Sequence, residues 1–260
     1  MKKLFILSTI LLLTIPGFSK VIVLSGLTNI HSGEQGNLVQ GEIHVQNIGD
    51  KNERIIIYLN DLIQDCHTAA SYDVPGTHPR SSGLWMELSA NEKILAPKEE
   101  FFIKYQINIP DEESILGSYW SMLMIEIADP IKEDQLEYGV AMDSKIRYGI
   151  QVITNVGRED GSEIEFITVE LNKNEEGHLV VATAENMGDF LVTPTVVLEL
   201  YGETGDLVYK TEVPFKKVYP KSCKSFEVPI EKLASGSYAA LLVADYGKDL
   251  YGTNLQIDIN

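Results

Sequence analysis

The stretch Leu95–Leu123, LAPKEEFFIKYQINIPDEESILGSYWSML, decides the fold, because its pattern returns at Tyr219–Leu242, YPKSCKSFEVPIEKLASGSYAALL. In both stretches Pro-Lys is followed by an alternating segment, a polar connection and Gly-Ser-Tyr. An Asn-x-Gly-Asp turn precedes each copy, at Asn47–Asp50 and at Asn186–Asp189. Proline enters a strand because it cannot donate to the ladder, and Asn and Gly tolerate the positive φ of a tight turn. The repeated order predicts two similar domains in tandem; one large irregular β domain with accidental similarity is the alternative.

Most of the chain alternates between apolar and polar residues with a period of two. In Leu38–Asn47, LVQGEIHVQN, the side chains of Val39, Ile43 and Val45 fall on one face, and FFIKYQINI at Phe101–Ile109 repeats the pattern. Such alternation is typical of half-buried strands in antiparallel sheets, and no stretch has a sustained helical stripe. We therefore predict an all-β chain of two tandem immunoglobulin-like antiparallel β-sandwiches. In each copy the Tyr of Gly-Ser-Tyr is a candidate for a tyrosine corner.

The first residues predict a cleaved export signal. Lys2 and Lys3 precede an apolar run, and Gly17 and Ser19 have the spacing that a signal peptidase needs. The run is shorter than the ~20 residues of a membrane-spanning helix, so an uncleaved anchor is the weaker alternative. The predicted segments are a signal peptide over 1–19, a first sandwich over 20–157 and a second over 158–260.

Composition excludes several classes of function. The formal net charge of -17 repels phosphate backbones and anionic lipid surfaces, so we expect neither nucleic-acid binding nor adsorption to such membranes. A hydrophobic content of 44% is ample for packed cores and argues against disorder. Cys66 and Cys223 are too few for a disulfide scaffold and fall in different predicted domains. Two separate thiols are the prediction, and a bridge between docked domains is the alternative.

The run Ser81–Glu126 carries a family resemblance. It reads SSGLWMELSANEKILAPKEEFFIKYQINIPDEESILGSYWSMLMIE and resembles bacterial exported immunoglobulin-like domains in which a tryptophan-containing strand precedes LAP-G-E, an alternating strand, Pro and G-x-Y-W. The pattern is similar to the N-terminal domain of the WxL-interacting cell-surface proteins, whose next strand resembles Ile146–Ile150, and the second half is similar to the domain that follows there. Lys98 stands where that pattern has Gly. The resemblance implies a wall-associated or partner-binding role rather than catalysis.

The long connection Asp61–Gly83 is the predicted recognition surface, because long loops between sandwich strands often carry binding residues. Aromatic and Arg side chains are enriched among binding hot spots. The predicted partner-binding residues are Tyr72, Arg80, His67 and His78. Cys66 beside His67 raises a thiol nucleophile or a metal pair as alternatives, but adjacency in sequence is not an activating geometry.

We predict no catalytic, cofactor-binding or metal-binding residues and no cofactor. The acidic run Ile127–Gly139 lacks the ligand spacing and the glycine of a calcium loop, so it is interpreted as a solvated hairpin loop. Trp85 and Trp120 lie in apolar segments and are predicted core residues inside strands, with ligand-stacking platforms as the alternative.

The leading functional prediction is an exported, non-catalytic binding, adhesion or structural module of the bacterial envelope. Its partner is an envelope or cell-surface protein or a cell-wall polymer, in the periplasm or at the cell surface. The alternative is a periplasmic chaperone for surface-fibre (pilus) subunits. That activity needs a basic residue between the domains to bind a subunit carboxylate, and an edge strand for pairing. The candidate basic residues are Arg54, Arg147 and Arg158.

Overall fold

The computed structural model describes most of the chain after the predicted export signal. The described residues are 21–66, 69–128, 131–132, 143–159, 161, 163–174, 177–231, 233–247 and 249–259. Several predictions lie outside them: the signal peptide over 1–19, His67, and the acidic residues Asp129, Glu133, Asp134 and Glu137.

The described residues form strands β1 to β19 and one 3-10 turn, Gly83–Trp85. The strands of the first half are β1 (Val21–Val23), β2 (Thr28–Gly33), β3 (Leu38–Asn47), β4 (Glu53–Ile63), β5 (Ser71–Asp73), β6 (Met86–Leu88), β7 (Glu92–Leu95), β8 (Glu100–Asn108), β9 (Gly117–Ile127), β10 (Ile131–Lys132), β11 (Asp143–Ser144) and β12 (Arg147–Val156). Those of the second half are β13 (Ile164–Asn174), β14 (Gly177–Asn186), β15 (Thr195–Tyr201), β16 (Leu207–Val213), β17 (Cys223–Ile230), β18 (Gly236–Asp245) and β19 (Leu250–Ile259).

The first half folds into a sandwich of two sheets. One sheet has the order β1-β3-β8-β6, and the other has the order β2-β12-β9-β4-β5 with β7 also on β4. Pairing within both sheets is antiparallel except between β2 and β12, which are parallel. The apolar faces enclose one core, whose fully buried side chains include Ile43, Val45, Ile55, Ile103, Ile107, Leu123, Ile125, Ile150 and Val152.

The second half forms a smaller sandwich of the sheets β13-β14-β17 and β16-β15-β18-β19, all antiparallel. Its separate core is built on Val180, Ala182, Val196, Leu198, Leu200, Phe226, Val228 and Leu242. The prediction of an all-β chain of two tandem antiparallel sandwiches is confirmed. The proposed boundary between residues 157 and 158 stays a prediction.

Asn47 and Asn186 explain the repeated Asn-x-Gly-Asp turn, since both are fully buried and bonded alike. Each side-chain oxygen accepts the N–H of the glycine two residues later, Gly49 or Gly188, over 2.9 Å. Each amide nitrogen donates to backbone carbonyls that close the turn: those of Lys51, Leu95 and Ala96 in the first copy, and of Phe190 and Val218 in the second.

The Pro-Lys pair also has the same conformation in both copies. Lys98 has φ 65° and Lys221 has φ 58°, in the left-handed region that residues with a Cβ seldom adopt. Each ammonium donates to a carbonyl of its own Asn-x-Gly turn, that of Ile48 or of Met187. A positive φ suits glycine best, which accounts for Gly at the position of Lys98 in the sequence pattern quoted above.

Two local predictions were wrong. The connection Asp61–Gly83 is not one open loop, because β4 continues to Ile63 and β5 pairs back onto it, with Leu62 opposite Tyr72. Trp85 lies in the 3-10 turn rather than inside a strand, where it packs partly buried against the first core.

Candidate functional site

The two sandwiches meet at an apolar seam around Trp120. The seam consists of Leu62, Trp120, Met122, Met124 and Ile153 from the first sandwich with Leu191 and Tyr219 from the second. The Trp120 ring centroid lies 4.5 Å from that of Tyr219, and its indole nitrogen donates to the Leu62 carbonyl over 2.8 Å. Trp120 is thus buried as predicted, but it lies between the sandwiches and not in the core of the first.

β9 supplies this seam because it is covered on both faces. Leu123 and Ile125 point into the first core, whereas Trp120, Met122 and Met124 point the other way. Strands buried on both faces have near-continuous apolar runs, and SYWSMLMIEI is such a run.

Polar contacts across the seam converge on Asp189. Arg80 forms an ion pair with the Asp189 carboxylate, and the N–H of Ser118 donates to the Asp189 carbonyl over 2.8 Å. The Ser118 hydroxyl in turn accepts the N–H of Leu191 over 2.7 Å. Gly117 has φ 100°, and a Cβ at this residue would lie 2.2 Å from the Asp189 carbonyl oxygen. Only glycine allows the second sandwich to approach so closely.

Cys66 and Cys223 form a disulfide between the sandwiches, with their Cα atoms 4.9 Å apart. The prediction of two separate thiols was wrong. It rested on their place in different domains, and the docking at the seam brings the two sulfurs together. Cys66 follows β4 of the first sandwich, and Cys223 begins β17 of the second.

Asp61 organises the segment that leads to Arg80. Its carboxylate is fully buried and accepts the N–H of Thr77 over 2.8 Å. The hydroxyls of Ser81 and Ser121 donate to its other oxygen over 2.6 and 3.2 Å. A buried carboxylate with several donors fixes the backbone around it, because losing one donor leaves charge unsatisfied.

His78 contacts the seam through the Trp120 ring. Its ring stacks on Trp120 with the centroids 4.6 Å apart, and its Nδ1 accepts the N–H of Arg80 over 3.2 Å. Nε2 lies 3.9 Å from the Asp61 carboxylate. Burial lowers the pKa of His78, and the nearby Asp61 carboxylate opposes that shift only in part. His78 is therefore neutral at neutral pH.

Two of the four predicted partner-binding residues lie at this seam. Arg80 and His78 belong to it, and Tyr72 on β5 is 55% exposed. Burial raises the pKa of the Tyr219 hydroxyl, and nearby Tyr72 adds to the effect. His67 lies outside the described residues. Their role in partner binding stays a prediction.

A second junction between the sandwiches has a basic residue that sequence reasoning missed. Lys217, from the connection between β16 and β17, donates to the side-chain oxygens of Thr28 on β2 and Gln151 on β12. Ile30 lies next along this face of β2 and is 56% exposed. We call Lys217, Thr28, Gln151 and Ile30 the edge site. Burial lowers the pKa of Lys217. Among the described residues no carboxylate forms an ion pair with it.

The arginines named from the sequence do not form the edge site. Arg54 makes a bidentate pair with Glu92 at 2.7 and 2.8 Å on an exposed surface. Arg147 pairs with Glu126 over 2.6 Å, and Arg158 is exposed. The available signal for Lys217 was the pair of adjacent lysines, FKKVYP, in a strongly acidic chain.

The part of the chain that the structure describes has no group of three or more His, Cys, Asp or Glu residues placed to hold a metal ion. Within the same residues, no helix has the length and apolarity needed to cross a membrane.

No family model matches the sequence, and no curated protein matches it. Among solved structures, the chain is similar to a chaperone–tip adhesin complex of CFA/I fimbriae biogenesis, with 12% identity, a TM-score of 0.49 and coverage of 93% of this chain and 99% of that one. It is similar to the class 5 fimbriae chaperone CfaA at 14% identity and a TM-score of 0.48, over 92% and 99% of the two chains. The CsuC–CsuE chaperone–tip adhesion subunit complex of Acinetobacter baumannii gives 10% identity and a TM-score of 0.47, over 91% and 98%. At these identities the likeness concerns the fold alone.

This comparison corrects the leading functional prediction. An adhesion or structural module was predicted, whereas the similar structures are those of fimbrial and periplasmic chaperones, the class of the alternative prediction. None of these structures bears on the WxL-interacting proteins, so that resemblance stays a prediction.

Proposed function

We propose that this chain is a non-enzymatic periplasmic chaperone that holds a strand of a surface-fibre subunit at the edge site. The observation that carries the proposal is Lys217, a partly buried cation between the two sandwiches whose partners among the described residues, Thr28 and Gln151, are neutral.

Lys217 suits a terminal carboxylate. Burial disfavours the charged form of Lys217. Two neutral oxygens offset this cost less well than an anion would. A carboxylate that reaches Nζ restores the missing charge partner and adds a charge-assisted hydrogen bond. The free energy of binding therefore favours a partner whose chain ends at Lys217.

The adjoining strand suits pairing with a partner. β2 is the last strand of its sheet, and β12 covers one of its edges along Thr28–Gly33. Its other edge has no strand partner among the described residues. Leu27, just before β2, and Ile30 expose 53% and 56% of their surface, which offers apolar contacts to an added strand. Main-chain pairing on an exposed edge is a common mode of peptide capture.

The seam supplies rigidity. Trp120, Tyr219, the Arg80–Asp189 ion pair and the Cys66–Cys223 disulfide together hold one sandwich against the other, so Lys217 keeps a set position relative to β2. A partner then binds without first ordering the site, which lowers the entropic cost of binding.

The test uses a synthetic strand-forming peptide with a free C-terminal carboxylate and the same peptide with an amide end. Fluorescence anisotropy should show that the amide weakens binding roughly tenfold or more, the value of a hydrogen bond to a charged group. Lys217→Met should remove the difference between the two peptides.

Lys216→Met is the matched control. Lys216 is the adjacent lysine, and it donates to the Ser225 carbonyl and lies over the Phe226 ring instead. The control should keep the preference for the free acid. Equal affinity of the wild-type chain for both peptides would overturn the proposed function.

A further inference from the structure

Two covalent paths join the sandwiches. One is the main-chain connection from Val156 to Ile164, in which Gly157 has φ 78° and Gly161 has φ 124°. The other path is the Cys66–Cys223 disulfide, which joins residues separated by 157 positions in sequence.

Hydrogen bonding at the seam is incomplete. Among the described residues, buried polar atoms without a hydrogen-bond partner include four at or beside the seam: His78 Nε2, Ser82 Oγ, Tyr219 OH and Ser222 Oγ. A cavity of about 230 Å³ also opens there, lined in part by His78, Trp120 and Pro220. Buried polar atoms without a partner lower the stability of an interface. The relative position of the sandwiches therefore depends on the disulfide as well as on the seam.

The two cysteine residues differ in exposure. Cys66 is partly exposed at the end of the β4 connection, whereas Cys223 is buried with 9% of its surface exposed. Exchange with an external thiol requires access to the attacked sulfur. A thiolate from solvent thus reaches Cys66 first.

We propose that Cys66 is a thiol–disulfide exchange site, through which a dithiol protein opens and an oxidant closes the bond that fixes the two sandwiches. The attacking thiolate forms a new S–S bond with Cys66, and Cys223 leaves as a thiolate that takes up a proton. The second thiol of the dithiol then attacks the mixed disulfide and releases Cys66 as a thiol. The dithiol ends oxidised, and this chain ends with two thiols.

Opening the bond affects the edge site, and this step rests on the proposed function. Lys217 lies on the segment that leads into Cys223, while Thr28 and Gln151 belong to the first sandwich. Once the disulfide is open, the main chain is the remaining covalent link between the sandwiches, and Lys217 separates from β2. Capture of a carboxylate-ended strand then requires the oxidised chain.

The site of exchange is tested by brief treatment with reduced glutathione, acid quenching and peptide mass mapping. We expect the glutathione adduct on Cys66. An adduct formed first on Cys223 would overturn the assignment.

The effect on geometry is tested by small-angle X-ray scattering of the oxidised chain, the chain reduced with dithiothreitol, and the double variant Cys66→Ser/Cys223→Ser. The reduced chain and the double Ser variant should both have a larger radius of gyration than the oxidised chain. Retained dispersion of their amide proton signals is the folding control. Scattering equal to that of the oxidised chain would overturn the proposal.

The effect on capture uses the free-acid peptide defined above. Reduction should weaken its binding roughly tenfold, because the contact with Lys217 is lost. Dithiothreitol should not change the affinity of the double Ser variant. If the oxidised chain does not distinguish acid from amide, the proposed function fails, while the exchange site still stands or falls on the adduct map and the scattering.

Discussion

The two sandwiches share one turn framework but use the Gly-Ser-Tyr that follows it differently. In the second, the Tyr238 hydroxyl donates to the Ala234 carbonyl over 2.8 Å, the local bond of a tyrosine corner. In the first, Tyr119 instead packs against Trp85 and Arg80, and its hydroxyl has no hydrogen bond among the described residues. The predicted corner is thus present in one copy.

The reason for the difference is the docking of the second sandwich onto the first copy. Gly117 and Ser118 contact Asp189, and the next residue but one, Trp120, packs on Tyr219. The same Gly-Ser-Tyr sequence therefore closes a turn in the second sandwich and forms part of the interface in the first. A repeated motif predicts a shared fold and not a shared role.

Trp120→Ala should produce the largest effect, since it removes the side chain at the centre of the seam. We expect a loss of about 3–5 kcal/mol in the free energy of unfolding, the range for large aromatic truncations. Urea unfolding followed by circular dichroism measures it. A loss below about 1 kcal/mol would show that the seam does not hold the sandwiches together.

Gly117→Ala should lower the free energy of unfolding more than Gly236→Ala does. This pair of variants compares the two copies of Gly-Ser-Tyr directly. The first change adds a Cβ 2.2 Å from the Asp189 carbonyl oxygen at φ 100°. The second adds a Cβ 3.5 Å from the Tyr238 hydroxyl, which is an ordinary contact. Strain of this kind is of order 1–3 kcal/mol. Thermal unfolding of both variants is the measurement, and equal losses would contradict the interface role of the first copy.

Much of this comparison was readable in the sequence. The period-two runs and the turns at Asn47 and Asn186 depend on local chemistry, so both sandwiches were predicted. The position of Trp120, the pairing of Cys66 and the role of Lys217 were not, because each depends on how one sandwich sits on the other. Docking leaves no periodic signal along the chain.

Tyr238→Phe should lower the free energy of unfolding by about 1 kcal/mol, the net value of one hydrogen bond. Tyr119→Phe should leave it nearly unchanged. Urea unfolding of both variants measures the two losses in free energy of unfolding. A larger loss for Tyr119→Phe than for Tyr238→Phe would contradict the assignment of the corner to the second sandwich.

His78 should give the smallest effect, a pH dependence confined to the seam. Its pKa in the folded chain lies below the ordinary value of about 6.5, so the unfolded chain binds the extra proton first as pH falls. Stability present at pH 7 is therefore lost as pH decreases below about 6.5, down to the folded pKa. The charged group that acts on His78 is the Asp61 carboxylate, which lies 3.9 Å from Nε2.

The check is the melting temperature of the wild type and of His78→Gln between neutral and mildly acidic pH. The variant should lose less stability on acidification. If the melting temperatures of the wild type and the variant fall equally with pH, protonation of His78 does not affect the stability of the seam.

The most direct test of the account is a crystal structure of the oxidised chain with the free-acid peptide. The peptide carboxylate should contact Lys217 Nζ, and the peptide backbone should pair along the outer edge of β2. A peptide bound elsewhere, or one whose carboxylate points away from Lys217, would contradict it.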